Sequence, residues 1–203
     1  MPPGADDLAA AAAALRAGTV VAVPTDTVYG LAVDPRPDGA TAALFALKGR
    51  PSTVELPVLV ADLPAAATLA GPGGLSPLAA ALARRFWPGP LTLVVRRAGG
   101  VGWDLGGDGR TIGIRCPAHP VARRLCRAVG PLATTSANRH GDPPLTTAAA
   151  VAAEFGDAVG AVVDGGTCDA PPSTVVDATG GTLRLLREGA VPWTELERLA
   201  SGI

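Results

Sequence analysis

The sequence predicts one α/β domain built on a mixed β-sheet, and three observations predict it. Short aliphatic runs rich in Val, Leu and Ile alternate with Ala-rich segments that carry helix-cap residues for most of the length. Three strand-like runs then follow in succession near the C-terminus, so part of the sheet must be antiparallel. Hydrophobic residues make up 48% and charged residues 17% of a 203-residue chain, enough apolar surface for one sizeable core.

The elements follow in order. Asp6 or Asp7 caps a helix through the Ala run, which stops at Gly18. "TVVAVP" is a buried strand by its β-branched content, and "TDTVYGLAV" places polar residues at the start of the next. "GATAALFALKGRP" is a short helix ended by Gly49 and Pro51. "LPVLVAD" is a strand. Leu63 to Ala83 carries no charge and is long enough to span a bilayer, but its Pro and Gly residues make it helix, loop, helix instead. The second of these helices has Ser76 as cap and Pro77 in its first turn. "LTLVVRR" is a strand, "GGVGWDLGGDG" a loop and "RTIGIRCP" the strand after it. "HPVARRLCRAVG" is a helix with Arg123, Arg124 and Arg127 on its polar side. "PLATTSA" is a strand, and "LTTAAAVAAEFG" a helix capped by Thr146 or Thr147. "AVGAVVDGG", "STVVDAT" and "TLRLLREG" are the three closing strands, before a last helix from about Pro192 to Ala200.

Composition excludes several classes. The formal charge of -1 argues against coating nucleic acid by net charge, so any anion site is a local pocket. Cys116, Cys126 and Cys168 are odd in number and form no CxxC, which fits a reducing cytoplasm and structural thiols. His119 and His140 lack metal-motif spacing, and His119, beside Pro120, reads as a helix cap. The acidic N-terminus does not read as a signal peptide. There is no GxSxG, Walker A or GxGxxG.

What remains is a series of polar clusters at strand ends: Thr25 to Tyr29, Lys48 to Arg50, Thr111 with Arg115, Thr134 to Asn138, Ser173 with Thr174, and Arg187. Taken singly, each is also ordinary turn chemistry. Taken together, guanidinium, ammonium and hydroxyl groups suit a phosphate-bearing substrate.

The motifs "PTDTVYGL", "KGRP", "RFWPGPLTLV", "TIGIRCPAHP", "TTSANRHGDPPLT", "STVVDAT" and "LLREGAV" occur in this order, each at an element boundary. The chain is similar, from about residue 8 to 192, to the YrdC/Sua5 family, the threonylcarbamoyl-AMP synthases. The resemblance implies a single YrdC-like domain over residues 1–203, a twisted mixed sheet flanked by helices around a concave, positively lined cavity. It is to the short form, without a C-terminal Sua5 domain. The implied reaction condenses L-threonine, bicarbonate and ATP to threonylcarbamoyl-AMP and pyrophosphate. The product serves N6-threonylcarbamoyladenosine at position 37 of tRNAs reading ANN codons, through a separate transferase. Direct RNA binding, or a paralogue with other carbamoyl-adenylate chemistry, are the alternative readings.

The resemblance also implies roles. Lys48 and Arg50 bind the ATP phosphates and are the catalytic pair. Val54, Thr111, Asn138, Thr146 and Arg187 contact the nucleotide. Thr27, Arg115, Ser136 and Ser173 contact threonine. Mg²⁺ arrives with ATP rather than on a protein cage. The family pattern has "NPL" and then a His after KxRP; here Val54, Glu55 and Leu56 occupy the first region and Leu59 the His position. The location expected is the cytoplasm, with no membrane association.

Overall fold

The computed structural model describes residues 3–202. α1 (Ala5–Arg16) leads into β1 (Val21–Val23) and β2 (Gly30–Val33), then α2 (Ala40–Lys48) and β3 (Val58–Leu59). α3 (Leu63–Leu69) and α4 (Pro77–Phe86) precede β4 (Leu91–Arg96) and β5 (Thr111–Arg115). α5 (Pro120–Val129), β6 (Leu132–Ser136) and α6 (Ala148–Phe155) follow. β7 (Ala161–Val162), β8 (Thr174–Asp177), β9 (Arg184–Arg187) and α7 (Trp193–Ala200) close the chain.

The strands make one sheet in the order β7-β1-β2-β6-β3-β5-β4-β8-β9. It is mixed: β1–β7, β3–β5 and β4–β8 are parallel, and the other neighbours are antiparallel. The three closing strands separate. β7 pairs with β1 at one end of the sheet, and β8 and β9 build the other end. The segment between β7 and β8 therefore crosses nearly the whole sheet as a strap without regular structure.

Helix ends follow local chemistry. Ser76 Oγ accepts from the Ala79 amide, and Thr147, not Thr146, caps α6 through the Ala150 amide. His119 Nδ1 caps α5 by accepting from Val121 N. At α1 the cap is Gly4 rather than Asp6 or Asp7; Asp7 lies in the first turn and reaches back to the Gly4 amide at 3.0 Å. The uncharged run splits into α3 and α4 as the Pro and Gly residues require, and among the described residues no helix is long and apolar enough to cross a membrane. β3 and β7 are two residues each, shorter than their apolar runs, because pairing with neighbours rather than composition sets strand length.

Two cores sit on the two faces of the sheet. Val20, Ala22, Leu31, Val33, Val58, Leu93 and Ile114 pack on one face against α2, α3, α4, α6 and α7. Val21, Val23, Ala32, Leu59 and Leu132 pack on the other against Leu8, Ala11 and Leu15 of α1 and Val121, Leu125 and Val129 of α5. Strand alternation sends successive residues to opposite cores. The second face is covered only over part of its width. Beyond β3 no helix of this core lies on it, and the face there carries Arg115 and Thr92 alongside Val94 and Val175.

Candidate active site

The uncovered part of the sheet lines a cavity of about 250 Å³. Arg115, the last residue of β5, projects from the same face as Leu59, its register partner on β3. Thr92 of β4, Ser173 before β8 and Arg187 at the end of β9 complete that side. Ser136 and Thr134 of β6 stand on the other, with Gly30 of β2 opposite Ser136. Gly30 leaves little room for a side chain: a Cβ there would lie 3.0 Å from Thr134 Oγ1, which would have to give by a few tenths of an ångström. The lining includes three guanidinium groups, Arg50, Arg115 and Arg187, and among the described residues no carboxylate.

Arg115 is the most fixed of the three. Its Nε donates to Gly89 O at 3.2 Å, Nη1 to Thr27 Oγ1 at 3.1 Å and Nη2 to Asp26 Oδ1 at 2.7 Å. A guanidinium has five N–H groups, so one on each Nη is left for a ligand, the complement of a carboxylate. Burial pulls the Arg115 pKa down, and the ion pair with Asp26 opposes this. Asp26 Oδ2 is buried with no hydrogen-bond partner among the described residues. Thr25 Oγ1 bonds Thr27 Oγ1 at 3.0 Å and the Val28 carbonyl at 2.6 Å, which sets the turn that brings Thr27 to Arg115.

"KGR" is divided by its glycine. α2 ends at Gly49, which takes φ +65°, a conformation costly for other residues. Lys48 stays inside the last turn and Arg50 swings out to the cavity. Arg50 is anchored by Nε to Val54 O and Nη2 to Glu55 O, both at 3.1 Å. Burial, then the like charge of Arg187, lowers its pKa. Lys48 is 3% exposed. Its ammonium donates to Ser136 O, Ser136 Oγ, Asn138 O and Asn138 Oδ1 at 2.8, 3.3, 3.1 and 2.8 Å. Burial, with the Arg50 charge beside it, pulls the Lys48 pKa down to about 8.

Asn138 is spent in the same cluster. Its Oδ1 accepts from Ser136 Oγ at 2.6 Å, and its Nδ2 donates to Arg139 O and Asp142 O, both at 2.7 Å. Lys48, Ser136 and Asn138 thus form one unit behind the cavity wall, with Ser136 reaching the cavity.

Of the residues singled out in the sequence, Thr27, Arg50, Arg115, Ser136, Ser173 and Arg187 line the cavity together. Lys48 and Asn138 stand directly behind Ser136. Val54, Thr111 and Thr146 are not in the lining. Val54 is 44% exposed. The Thr111 hydroxyl is committed to Glu55 Oε2 at 3.1 Å, and burial raises the Glu55 pKa. The Thr146 carbonyl accepts from Cys168 N at 2.8 Å. The strap is tied down beside it: Ala170 N donates to Thr27 O, and Tyr29 Oη bonds Gly166 O and Gly165 N.

Two residues of the site were not singled out from the sequence by role. Asp26 lies in the polar "TDTVYG" cluster, where a carboxylate beside a predicted anion pocket signals an arginine partner. Thr92 is the polar residue at an alternating position of "LTLVV", buried to 4% exposure. The three cysteines are buried, and burial pushes the Cys126 thiol up to about 12, which removes it as a nucleophile. Among the described residues no group of three His, Cys, Asp or Glu side chains is placed to hold a metal.

The comparisons with known proteins meet this geometry. The family model Sua5_yciO_yrdC, described as "Telomere recombination", matches residues 13–189. The chain belongs to this family. A Chromohalobacter salexigens member named threonylcarbamoyl-AMP synthase is 42% identical over 183 residues, covering 89% of this chain and 97% of that protein. The crystal structure of Pyrococcus abyssi Sua5 complexed with L-threonine superposes with a TM-score of 0.89 at 37% identity, covering 95% of this chain and 56% of that one. Escherichia coli YciO superposes with a TM-score of 0.83 at 26% identity, over 91% and 90% of the two chains. The single-domain mixed sheet with flanking helices is thus the fold of the family. This chain spans little more than half the archaeal Sua5.

Proposed function

We propose that the protein is an ATP-dependent L-threonylcarbamoyladenylate synthase. The observation that carries the reading is the convergence of Arg50, Arg115 and Arg187 with Thr27, Ser136 and Ser173 in one carboxylate-free cavity. It is supported by the name of the C. salexigens relative and by the threonine bound to the archaeal Sua5. The chemical parts divide as follows. The two uncommitted Nη protons of Arg115 hold the amino-acid carboxylate. Arg50 and Arg187 neutralise phosphate oxygens of ATP. The Lys48–Ser136–Asn138 unit fixes the wall between them and adds positive charge.

The reaction is a nucleotidyl transfer. The neutral threonine amine attacks the carbon of bicarbonate, water leaves, and a carbamate oxygen displaces pyrophosphate from the α-phosphorus of ATP. Positioning and charge neutralisation dominate such transfers, so a dedicated general base is not required. Mg²⁺ supplies charge neutralisation on the polyphosphate. The lining holds no carboxylate to cage it, so the ion accompanies ATP and water, and no step here depends on a protein ligand.

In this reading the adenylate passes in the cytoplasm to a threonylcarbamoyl transferase that modifies adenosine 37 of tRNAs reading ANN codons. The test is direct. The purified chain with ATP, Mg²⁺, bicarbonate and L-threonine is expected to release pyrophosphate and yield the adenylate by mass spectrometry, with little from serine or glycine. Turnover without any amino-acid dependence, or none at all, removes the proposal.

A further inference from the structure

A short relay of hydrogen bonds crosses the cavity floor between the two proposed substrate arginines. Arg187 Nη2 lies 3.2 Å from Ser173 Oγ, and Ser173 Oγ lies 2.9 Å from Thr92 Oγ1. A guanidinium only donates, so Ser173 accepts the first bond. The two hydroxyls share one bond, so one of their two protons has no acceptor among the described residues. Accepting from a cation polarises Ser173 to donate onward to Thr92, the cooperative direction. The leftover proton is then that of Thr92. Its hydroxyl makes no other hydrogen bond among the described residues. Thr92 is 4% exposed and lines the cavity. A buried donor of this kind is costly unless water or a ligand in the cavity accepts from it, and a bound substrate that displaces the water has to take over that role.

Its position says which ligand atom. Leu93 of β4 is the register partner of Ile114, which puts Thr92 beside Arg115 on the open face. Across β8, Thr92 pairs with Val175, and Val175 pairs with Arg187. Thr92 thus stands between the arginine assigned to the amino-acid carboxylate and one assigned to the nucleotide. The carbon that becomes joined to the amine on one side and to the α-phosphate on the other has to pass through this place.

We propose that the Thr92 hydroxyl is a substrate contact that donates to an oxygen of bicarbonate and then of the carbamate formed from it. The step balances with Thr92 unchanged. The amine nitrogen bonds the bicarbonate carbon, one oxygen leaves as water with protons from the amine and from bicarbonate, and a carbamate anion remains. That anion is the nucleophile toward ATP. The donor holds a planar oxyanion while its carbon is attacked, and it needs no proton transfer of its own.

The inference rests on the synthase reading, and one experiment separates the two. Pyrophosphate release is measured in CO2-depleted buffer for the wild type, Thr92→Val and Thr92→Ser, varying bicarbonate, threonine and ATP in turn. Thr92→Val is expected to raise the bicarbonate KM by roughly 10- to 100-fold, the loss of one hydrogen bond to a charged group. Its threonine and ATP KM values are expected to stay within about twofold, and Thr92→Ser is expected to restore the bicarbonate KM. Circular dichroism checks folding, and Thr92→Ala is read in the same way if Thr92→Val does not fold. An unchanged bicarbonate KM overturns the inference alone. So does a raised threonine KM in its place, which would give the hydroxyl to the amino-acid carboxylate. A wild type that makes no adenylate overturns the synthase reading, and this inference with it.

Discussion

One face of one sheet carries two regions that differ in everything but backbone. Over β1, β2, β6 and β3 the strands present Val21, Val23, Ala32, Leu132 and Leu59, most of them roofed by α1 and α5. Over β5, β4, β8 and β9 the same alternation presents Arg115, Thr92, Ser173 and Arg187, and no helix of that core covers them. Leu59 and Arg115 are register partners, and Leu59 with Thr134 and Ser136 of β6 also lines the cavity, so the boundary runs across these strands rather than between two of them. The comparison teaches that the binding surface is a core left unroofed. The strands alone already aim the polar groups, and the missing helices supply the space.

Breaking the open region is expected to have the largest effect. Arg115→Leu leaves the Asp26 carboxylate buried and alone, which costs on the order of 3–5 kcal/mol. Urea unfolding should show that loss together with loss of threonine binding. Adding Asp26→Leu should return much of the stability and none of the binding; recovery of both would mean that Arg115 is a packing residue only. The covered region is expected to respond in stability alone. Leu125→Ala removes a side chain that is 1% exposed, with a loss of about 2–5 kcal/mol and turnover per folded molecule within twofold. A specific loss of turnover would erase the distinction between the regions.

The smallest effect sharpens the comparison through pH. The Lys48 pKa of about 8 lies below the usual lysine value of 10.5. Between those values the unfolded chain binds more protons than the folded one, so this group makes stability rise with pH across that window. Activity should move the other way, because the charged ammonium that ties Ser136 to Asn138 is lost above about pH 8. A basic limb near pH 8 without unfolding is expected, and Lys48→Arg should shift it upward or abolish it. A limb unchanged in Lys48→Arg would assign it elsewhere.

Much of this was legible in the sequence. Periodicity, caps and breakers placed the helices and strands, and the Pro and Gly residues divided Leu63 to Ala83 as local chemistry requires. Clusters at strand ends supplied Thr27, Arg50, Arg115, Ser136, Ser173 and Arg187, which the fold brings together. Strand order was not legible: β7 and β8 are neighbours in sequence and lie nearly at opposite ends of the sheet, because pairing is decided by partners distant in the chain. Side-chain direction past a helix end was also hidden. Lys48 and Arg50 look alike in "KGRP", yet the left-handed turn at Gly49 buries one and presents the other. The bond from the Thr111 hydroxyl to Glu55 joins positions far apart in the chain, and strand alternation alone does not reveal such a partner.

The strap from β7 to β8 has a consequence of scale. From Val162 to Thr174 an extended chain reaches about 40 Å, while the seven gaps between those strands span roughly 34 Å at normal spacing. Little slack is left, and the far end of the strap delivers Pro172 and Ser173 to the cavity. Where Ser173 sits is therefore recorded as a number of residues as much as in their chemistry. One residue removed from this segment would be felt as a displaced Ser173 hydroxyl at the far side of the sheet.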